Sequence, residues 1–288
     1  MASIQDLLLP ADNKDAMEIV VKREDEAAKK TDTIPETTRF VVEFILDVVC
    51  PYCYIGLRNL KAAIETYKAR HPEAIFEIVS SPFLLHPLAA RSAYNKSEYL
   101  ISRTRGPEYW VGPGAAAGIN FTWAGRTGST RDAHKLLRFA LNNTPTAIRN
   151  IRGGSTPSSP YNGTRSSTPT VNGGASTHGP ASQLRLLEAL FYAHHETDGD
   201  VSDPSFLVQI TSSTTGIDEA QIREVLEDTN GEWGHVVDVL VAEVRSPRGL
   251  AVRAVPTFVV NDRYVIGGVQ SAEFLVEEFE RIRRGGGR

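Results

Sequence analysis

Cysteine is scarce in this sequence: 288 residues contain two. That scarcity excludes a scaffold stapled by several disulfides, so the fold must rest on a hydrophobic core, which a chain of this length with 41% hydrophobic residues can build. A dominant charge is also missing. With 31 Lys and Arg against 35 Asp and Glu, the net charge is −4, and no basic tract offers a footprint for nucleic acid or a membrane surface. No apolar run reaches the roughly 18 residues of a membrane span. The first 40 residues lack a basic leader followed by an apolar stretch of signal-peptide length. These absences lead to the expectation of a soluble, cytoplasmic protein whose partners are small molecules or other proteins, with no nucleic acid and no membrane.

What is present is concentrated. Both cysteines lie in DVVCPYCYIG, residues 47–56. In a reducing compartment a pair this close is more often catalytic or metal-binding than structural. Before it, FVVEFILDVV from Phe40 is β-branched and aromatic enough for a buried strand. After it, Leu57, Leu60, Ile64 and Tyr67 recur at helical spacing while Arg58, Lys61, Glu65 and Lys68 fill the other face. Pro51 suits the first helical turn, where a missing N–H costs nothing. Cys50 is thereby placed at the N-cap and Cys53 in the first turn. IFEIVSSPFLL, ending before His86, supplies a second strand and completes a β-α-β unit.

Residues 87–233 read as a helical insertion. RDAHKLLRFAL, QLRLLEALFYAHHE, DPSFLVQITSST and DEAQIREVLED each carry helical periodicity, with Asp203 and Asp218 at helix starts. Within it, residues 142–182 are rich in Ser, Thr, Gly, Pro and Asn, a composition expected to be disordered, as is the polar extension 1–38. The C-terminal part, 234–288, reads helix, strand, turn at Asn261-Asp262, strand, helix. The expected architecture is α/β: residues 39–86 and 234–288 form one domain, interrupted by the insertion.

The chemistry follows from the thiol pair. A helix N-terminus stabilises an anion, which favours the Cys50 thiolate as nucleophile. Cys53, deeper in the helix and less exposed, is placed to resolve a mixed disulfide. A half zinc site would need two further ligands, and none of the seven histidines shows paired ligand spacing; His194 and His195, being adjacent, should point to different sides of their helix. A disulfide across so short a loop would add little stability, and two inert thiols are the remaining bland alternative. Pro256, in RAVPTFVV, precedes a strand directly, where proline is tolerated only at a start or an edge. Beside a dithiol, a cis Pro256 would leave the Val255 backbone free to pair with an extended substrate.

Five blocks carry a resemblance: DVVCPYCYIG, TRDAHKLLRFAL, LLEALFYAHHETDGDVSDPSFLVQI, GIDEAQIREVLED and AVPTFVVNDRYVIGGVQ. In this order they resemble the FrnE-like branch of the DsbA family of thioredoxin-fold oxidoreductases, over about Phe40 to Ile282. The resemblance implies a thioredoxin-like fold with a large all-helical insertion, a redox-active Cys50–Cys53 pair and a cis Pro256 facing it. Asp47, Tyr52, Tyr54, Ile55 and Gly56 would frame the site, with Gln270 at the end of a nearby hairpin. Pro51, Tyr52, Tyr54, Val255, His134 and Gln270 are the expected substrate contacts, His134 at the interface between lobes. Three departures stand out: Ala251 and Ala254 replace the usual glycines before the proline, Ser129-Thr130-Arg131 replaces Asn-Thr-Arg, and the 142–182 tract has no counterpart.

The expected function is thiol-disulfide exchange on a protein or small-molecule disulfide, with glutathione or a thioredoxin-type system resetting the pair, no tightly bound cofactor, and no metal. The alternative is a glutathione-dependent isomerase or transferase acting on an aromatic or polyketide metabolite. Such enzymes use Ser in place of the first Cys. A binding module without catalysis is the third reading.

Overall fold

A computed structural model describes residues 39–91, 94–101, 106–142, 176–247 and 249–285. The 1–38 extension and most of the 142–182 tract lie outside the described residues.

Strand β1 (Arg39–Leu46) leads through a turn into helix α1 (Pro51–Arg70), and β2 (Ile75–Pro82) returns parallel to β1 with Phe44 opposite Ser80. β1 ends three residues before the apolar run does, because residues 47–49 turn the chain towards the helix. Late in the sequence, β5 (Thr257–Val260) pairs antiparallel with β1, and β6 (Tyr264–Gly267) pairs with β5, giving the order β2-β1-β5-β6. Asn261 and Asp262 both take φ near +50° between β5 and β6, as the Asn-Asp turn signal implied. The last helix, α9 (Ala272–Arg283), starts at Ser271, whose hydroxyl accepts from Phe274 N at 3.2 Å, and packs on α1.

The insertion contains α2 (Lys96–Ile101), a 3₁₀ turn (Pro107–Trp110), α3 (Val111–Ala116), α4 (Arg131–Leu141), α5 (Pro180–Glu196), α6 (Pro204–Thr215), α7 (Glu219–Glu227) and α8 (Glu232–Arg245). Asp203 and Asp218 cap α6 and α7 through Ser205 N and Ala220 N. The insertion is not all-helical: β3 (Tyr94–Asn95) and β4 (Arg126–Thr127) form a two-stranded sheet of their own. Nor is its core separate. Phe40, Phe44 and Phe258 of the sheet belong to the same buried cluster as Leu136 of α4, Leu190 and Phe191 of α5 and Ile222 of α7.

The insertion also meets the sheet at its edge. Gln183 of α5 accepts from Ser80 N at 2.8 Å through its side-chain carbonyl and donates to Ser80 O at 3.1 Å through its amide nitrogen. One side chain thus satisfies both outward-facing main-chain groups of an edge-strand residue.

Candidate active site

The dithiol sits where β1 hands over to α1. Cys50 N donates to Asp47 O at 3.0 Å, closing the turn, and Cys50 takes extended geometry (φ −86°, ψ 112°) as the N-cap, with Pro51 directly after it. Cys50 O then accepts from Cys53 N at 3.0 Å and Tyr54 N at 3.3 Å, the first helical bonds. Both thiols are free. Cys50 therefore occupies the N-cap of a 20-residue helix, with no hydrogen bond from the first-turn amides to its side chain. The Cys53 thiol is pushed well up by burial and by its contact with the Cys50 sulfur; the Asp47 amide opposes this and the Asp47 carboxylate adds to it. Burial thus keeps the Cys53 thiol protonated at neutral pH.

Cys50 is no more exposed than Cys53: both have 0% accessible surface, against the expectation that Cys53 would be the less exposed. From Val42 to Leu57, Tyr52 is the one residue that is not buried.

The Val255–Pro256 peptide is cis. Pro256 comes to α1 at Gly56, one turn beyond Cys53: a Cβ on Gly56 would lie 3.2 Å from Pro256 Cγ and 3.3 Å from Phe258 Cζ. Glycine is what permits that approach. Gly268 N donates to Pro256 O at 2.9 Å, so the end of the β5–β6 hairpin holds the proline from the other side. Asn59 Nδ2 donates to Gln270 O at 2.8 Å, and the Gln270 side chain folds back on Gly267 O. Gln270 therefore meets α1 through its backbone.

Behind the dithiol lies a buried polar layer. Leu85 N donates to Asp47 Oδ2 at 2.7 Å, and His134 Nε2 stands 3.4 Å from Asp47 Oδ1. Burial alone would raise the Asp47 carboxyl, but the hydrogen bond and attraction from His134, the Leu85 amide and Thr130 outweigh it and hold it below 3.8. His134, 3% exposed, is directed at Asp47; it braces the turn instead of facing a substrate surface as expected. His195 Nε2 lies 3.0 Å from Val48 O. Burial and the charge of Lys96 push its pKa down to about 3, so the ring is neutral and Nε2 carries the proton it donates. His194 and His195 do not diverge: both are buried, with ring centroids 4.7 Å apart. Among the described residues no group of three or more His, Cys, Asp or Glu could hold a metal.

Tyr54 also turns inward. Its ring stacks on Phe191 at 5.1 Å and on His195 at 5.6 Å, and its hydroxyl donates to Glu196 Oε1 at 2.5 Å. Burial, then the Glu196 contact, raises its pKa well above 10, so it stays a donor. The expectation of a substrate contact gives way to a tie between α1 and α5. Tyr52 is the motif residue that reaches outward, with its hydroxyl 3.1 Å from Tyr109 Oη and its ring edge-on to Trp110 at 4.6 Å. Trp110 is buried, and Tyr109 and Trp123 pack partly buried against the core.

Sequence reasoning missed Glu196, which holds Tyr54, and Lys96, which is fully buried with its ammonium on His194 O and 3.2 Å from Asp198 Oδ1. Neither stands in a motif. The intact dithiol at a helix N-terminus, a cis-proline packed on the same helix at Gly56, and a four-stranded sheet carrying a helical insertion define a thioredoxin-like protein of DsbA type.

The sequence matches the DSBA-like thioredoxin domain family over residues 41–148 and 169–280, and the chain belongs to that family. The break in the match falls inside the Ser- and Gly-rich tract. Two solved structures share the fold. One is a Streptomyces coelicolor protein provisionally assigned as a DsbA oxidoreductase (21% identity, TM-score 0.61, covering 86% of this chain and 92% of the other). The second, from Nitrosomonas europaea and provisionally assigned as a protein disulfide isomerase, is 14% identical with TM-score 0.53, covering 86% of this chain and all of the other. No curated protein matches the sequence. No helix among the described residues is long and apolar enough to cross a membrane.

Proposed function

We propose that this protein is a thiol-disulfide oxidoreductase of the FrnE-like branch, working in the cytoplasm. The observation that carries the reading is Cys50 at the α1 N-cap with Cys53 one turn on and a cis Pro256 against the same helix. The Cys50 thiolate attacks a disulfide RS–SR′, forming Cys50–S–S–R and releasing R′S⁻, which takes up a proton. Cys53 then loses its proton and attacks the Cys50 sulfur, releasing RSH and leaving the Cys50–Cys53 disulfide. The substrate gains two electrons and two protons. Two external thiols such as glutathione, or a thioredoxin-type dithiol, return the pair to the reduced state, and the same steps reversed would oxidise a dithiol substrate. Pro51, Tyr52 and the Val255 backbone are the groups we assign to the substrate side.

A glutathione-dependent isomerase or transferase would keep the fold and dispense with the cycle. Both cysteines are present, which argues against it. Titration in glutathione buffers decides between them: a reversible two-electron couple, lost in Cys50→Ser and in Cys53→Ser, is expected. Glutathione binding that survives Cys50→Ser with no redox cycling would overturn the oxidoreductase reading.

A further inference from the structure

Val48 and Val49 make the turn that delivers the chain to Cys50, closed by Cys50 N on Asp47 O. Buried β-branched residues have no turn preference of their own, so this turn takes its shape from contacts distant in the chain. The last two residues of α5 supply such contacts on both flanks of the motif. His195 donates to Val48 O, and Glu196 accepts from the Tyr54 hydroxyl, whose ring stacks on His195. That end of α5 is itself fixed. The carbonyls of Ala193, His194 and His195, which a helix end leaves without intrahelical partners, accept from Gly199 N at 2.7 Å, from the buried Lys96 ammonium and from Thr122 N at 2.7 Å. A buried lysine that the thiol chemistry does not use thus serves as an anchor.

We propose that His195 is a positioning residue for closure of the Cys50–Cys53 disulfide: from the anchored end of α5 it holds the Val48 carbonyl, and so keeps the Cys50 sulfur against the Cys53 thiol. The inference rests on the oxidoreductase reading. Cys53 is already hydrogen-bonded to Cys50, so closure begins from sulfurs in contact, and an intramolecular step gains from any restraint that preserves their arrangement. With oxidised glutathione as substrate, Cys53 loses its proton and attacks the Cys50 sulfur. The bond from Cys50 to the captured glutathione breaks, and that glutathione leaves as thiolate and takes up a proton. Both reacting sulfurs belong to the chain, so this step does not depend on admitting a second molecule.

Two variants separate the hydrogen bond from the packing. His195→Phe keeps a ring beside Tyr54, Phe121 and Phe191 and removes the donor, whereas His195→Gln keeps an amide donor and removes the ring. His195→Leu serves as a second donor-free variant should the phenylalanine not fold. Reduced full-length protein is mixed with oxidised glutathione, and quenched-flow mass spectrometry follows the Cys50–glutathione adduct and its conversion to the Cys50–Cys53 disulfide. Closure is expected to slow about tenfold in the donor-free variants, with adduct accumulating, and to stay within about threefold of wild type in His195→Gln. Urea unfolding of the same variants reads the fold, and closure rates should follow the donor whatever the order of stabilities. Closure at wild-type speed without the donor overturns the positioning role, as does equal slowing in His195→Gln, and both results leave the oxidoreductase reading standing. A wild-type protein that forms neither adduct nor disulfide refutes the oxidoreductase reading, and the positioning role with it.

Discussion

Replacing Asp47 by Asn tests the polar layer behind the dithiol while keeping its shape. The carboxylate accepts from Leu85 N at 2.7 Å and faces His134 at 3.4 Å in a fully buried setting. Asparagine can still accept from Leu85 N, so what is lost is the charge. A hydrogen bond to a charged group contributes about 1.5–3 kcal/mol, which sets the expected loss at about 2 kcal/mol at pH 7. For a chain of this size that is a drop of about 5 °C in Tm. The pH dependence gives the sign. Because the folded-state carboxyl lies below its ordinary 3.8, its contribution is fully present above that value and is lost as pH falls through the lower, folded value. The gap between wild type and Asp47→Asn, measured by urea unfolding, should be constant at neutral pH and close progressively at acid pH below 3.8. A second readout concerns Cys53, whose thiol is raised in part by the Asp47 charge. In a Cys50→Ser background, Asp47→Asn should move the Cys53 thiolate absorbance to lower pH. A stability gap that persists unchanged through acid pH, or a Cys53 titration that does not move, would refute the assignment of charge to Asp47.

Gly56→Ala sets helix propensity against space: alanine gains about 1 kcal/mol in a helix, while crowding a well-packed site costs about 1–3 kcal/mol. Its Cβ would press on Pro256, held by Gly268 N, and on Phe258, stacked on Phe44 at 4.8 Å, so we expect a net loss of about 1 kcal/mol; a more stable variant by thermal melting would refute the close approach. Lys96 is fully buried, and burial lowers its pKa, so the native state binds fewer protons than the unfolded one and stability should rise with pH in the window below 10.5. Lys96→Met should reduce that rise in denaturation curves between neutral and alkaline pH, leaving the share of Lys135, which burial also lowers. Cys53→Ala should trap the substrate as a mixed disulfide on Cys50, visible by mass spectrometry as an adduct released by reductant; an adduct on Cys53 in Cys50→Ala of equal yield would reverse the roles.

Much of this was legible in the sequence because the signals are local. Cys50-Pro51-Tyr52-Cys53 after an apolar run fixes a strand-to-helix junction, and Asn261-Asp262 between two apolar stretches fixes a hairpin. Asp203 and Asp218 announce their helices. What escaped is contact between residues distant in the chain: Tyr54 with Glu196, Lys96 with Asp198 and Gln183 with Ser80 are separated by 142, 102 and 103 residues. A charged or amide side chain reads as a surface residue until the fold supplies its partner. The β3–β4 ladder, two residues long on each side, is too short to leave a periodic trace. The burial of Cys50 was likewise invisible, since it depends on packing around the motif and not on the motif itself.

The grip of Gln183 on Ser80 bears on what can pair with the β2 edge. An edge strand with free main-chain groups is an invitation to a passing extended chain, including a second copy or a partly unfolded client. Here a side-chain amide already fills the place such a visitor would take on β2, with one acceptor and one donor, so recruitment there would first have to displace α5. The insertion thereby occupies the pairing site at Ser80, a duty independent of the thiols, and one that would survive the loss of both cysteines.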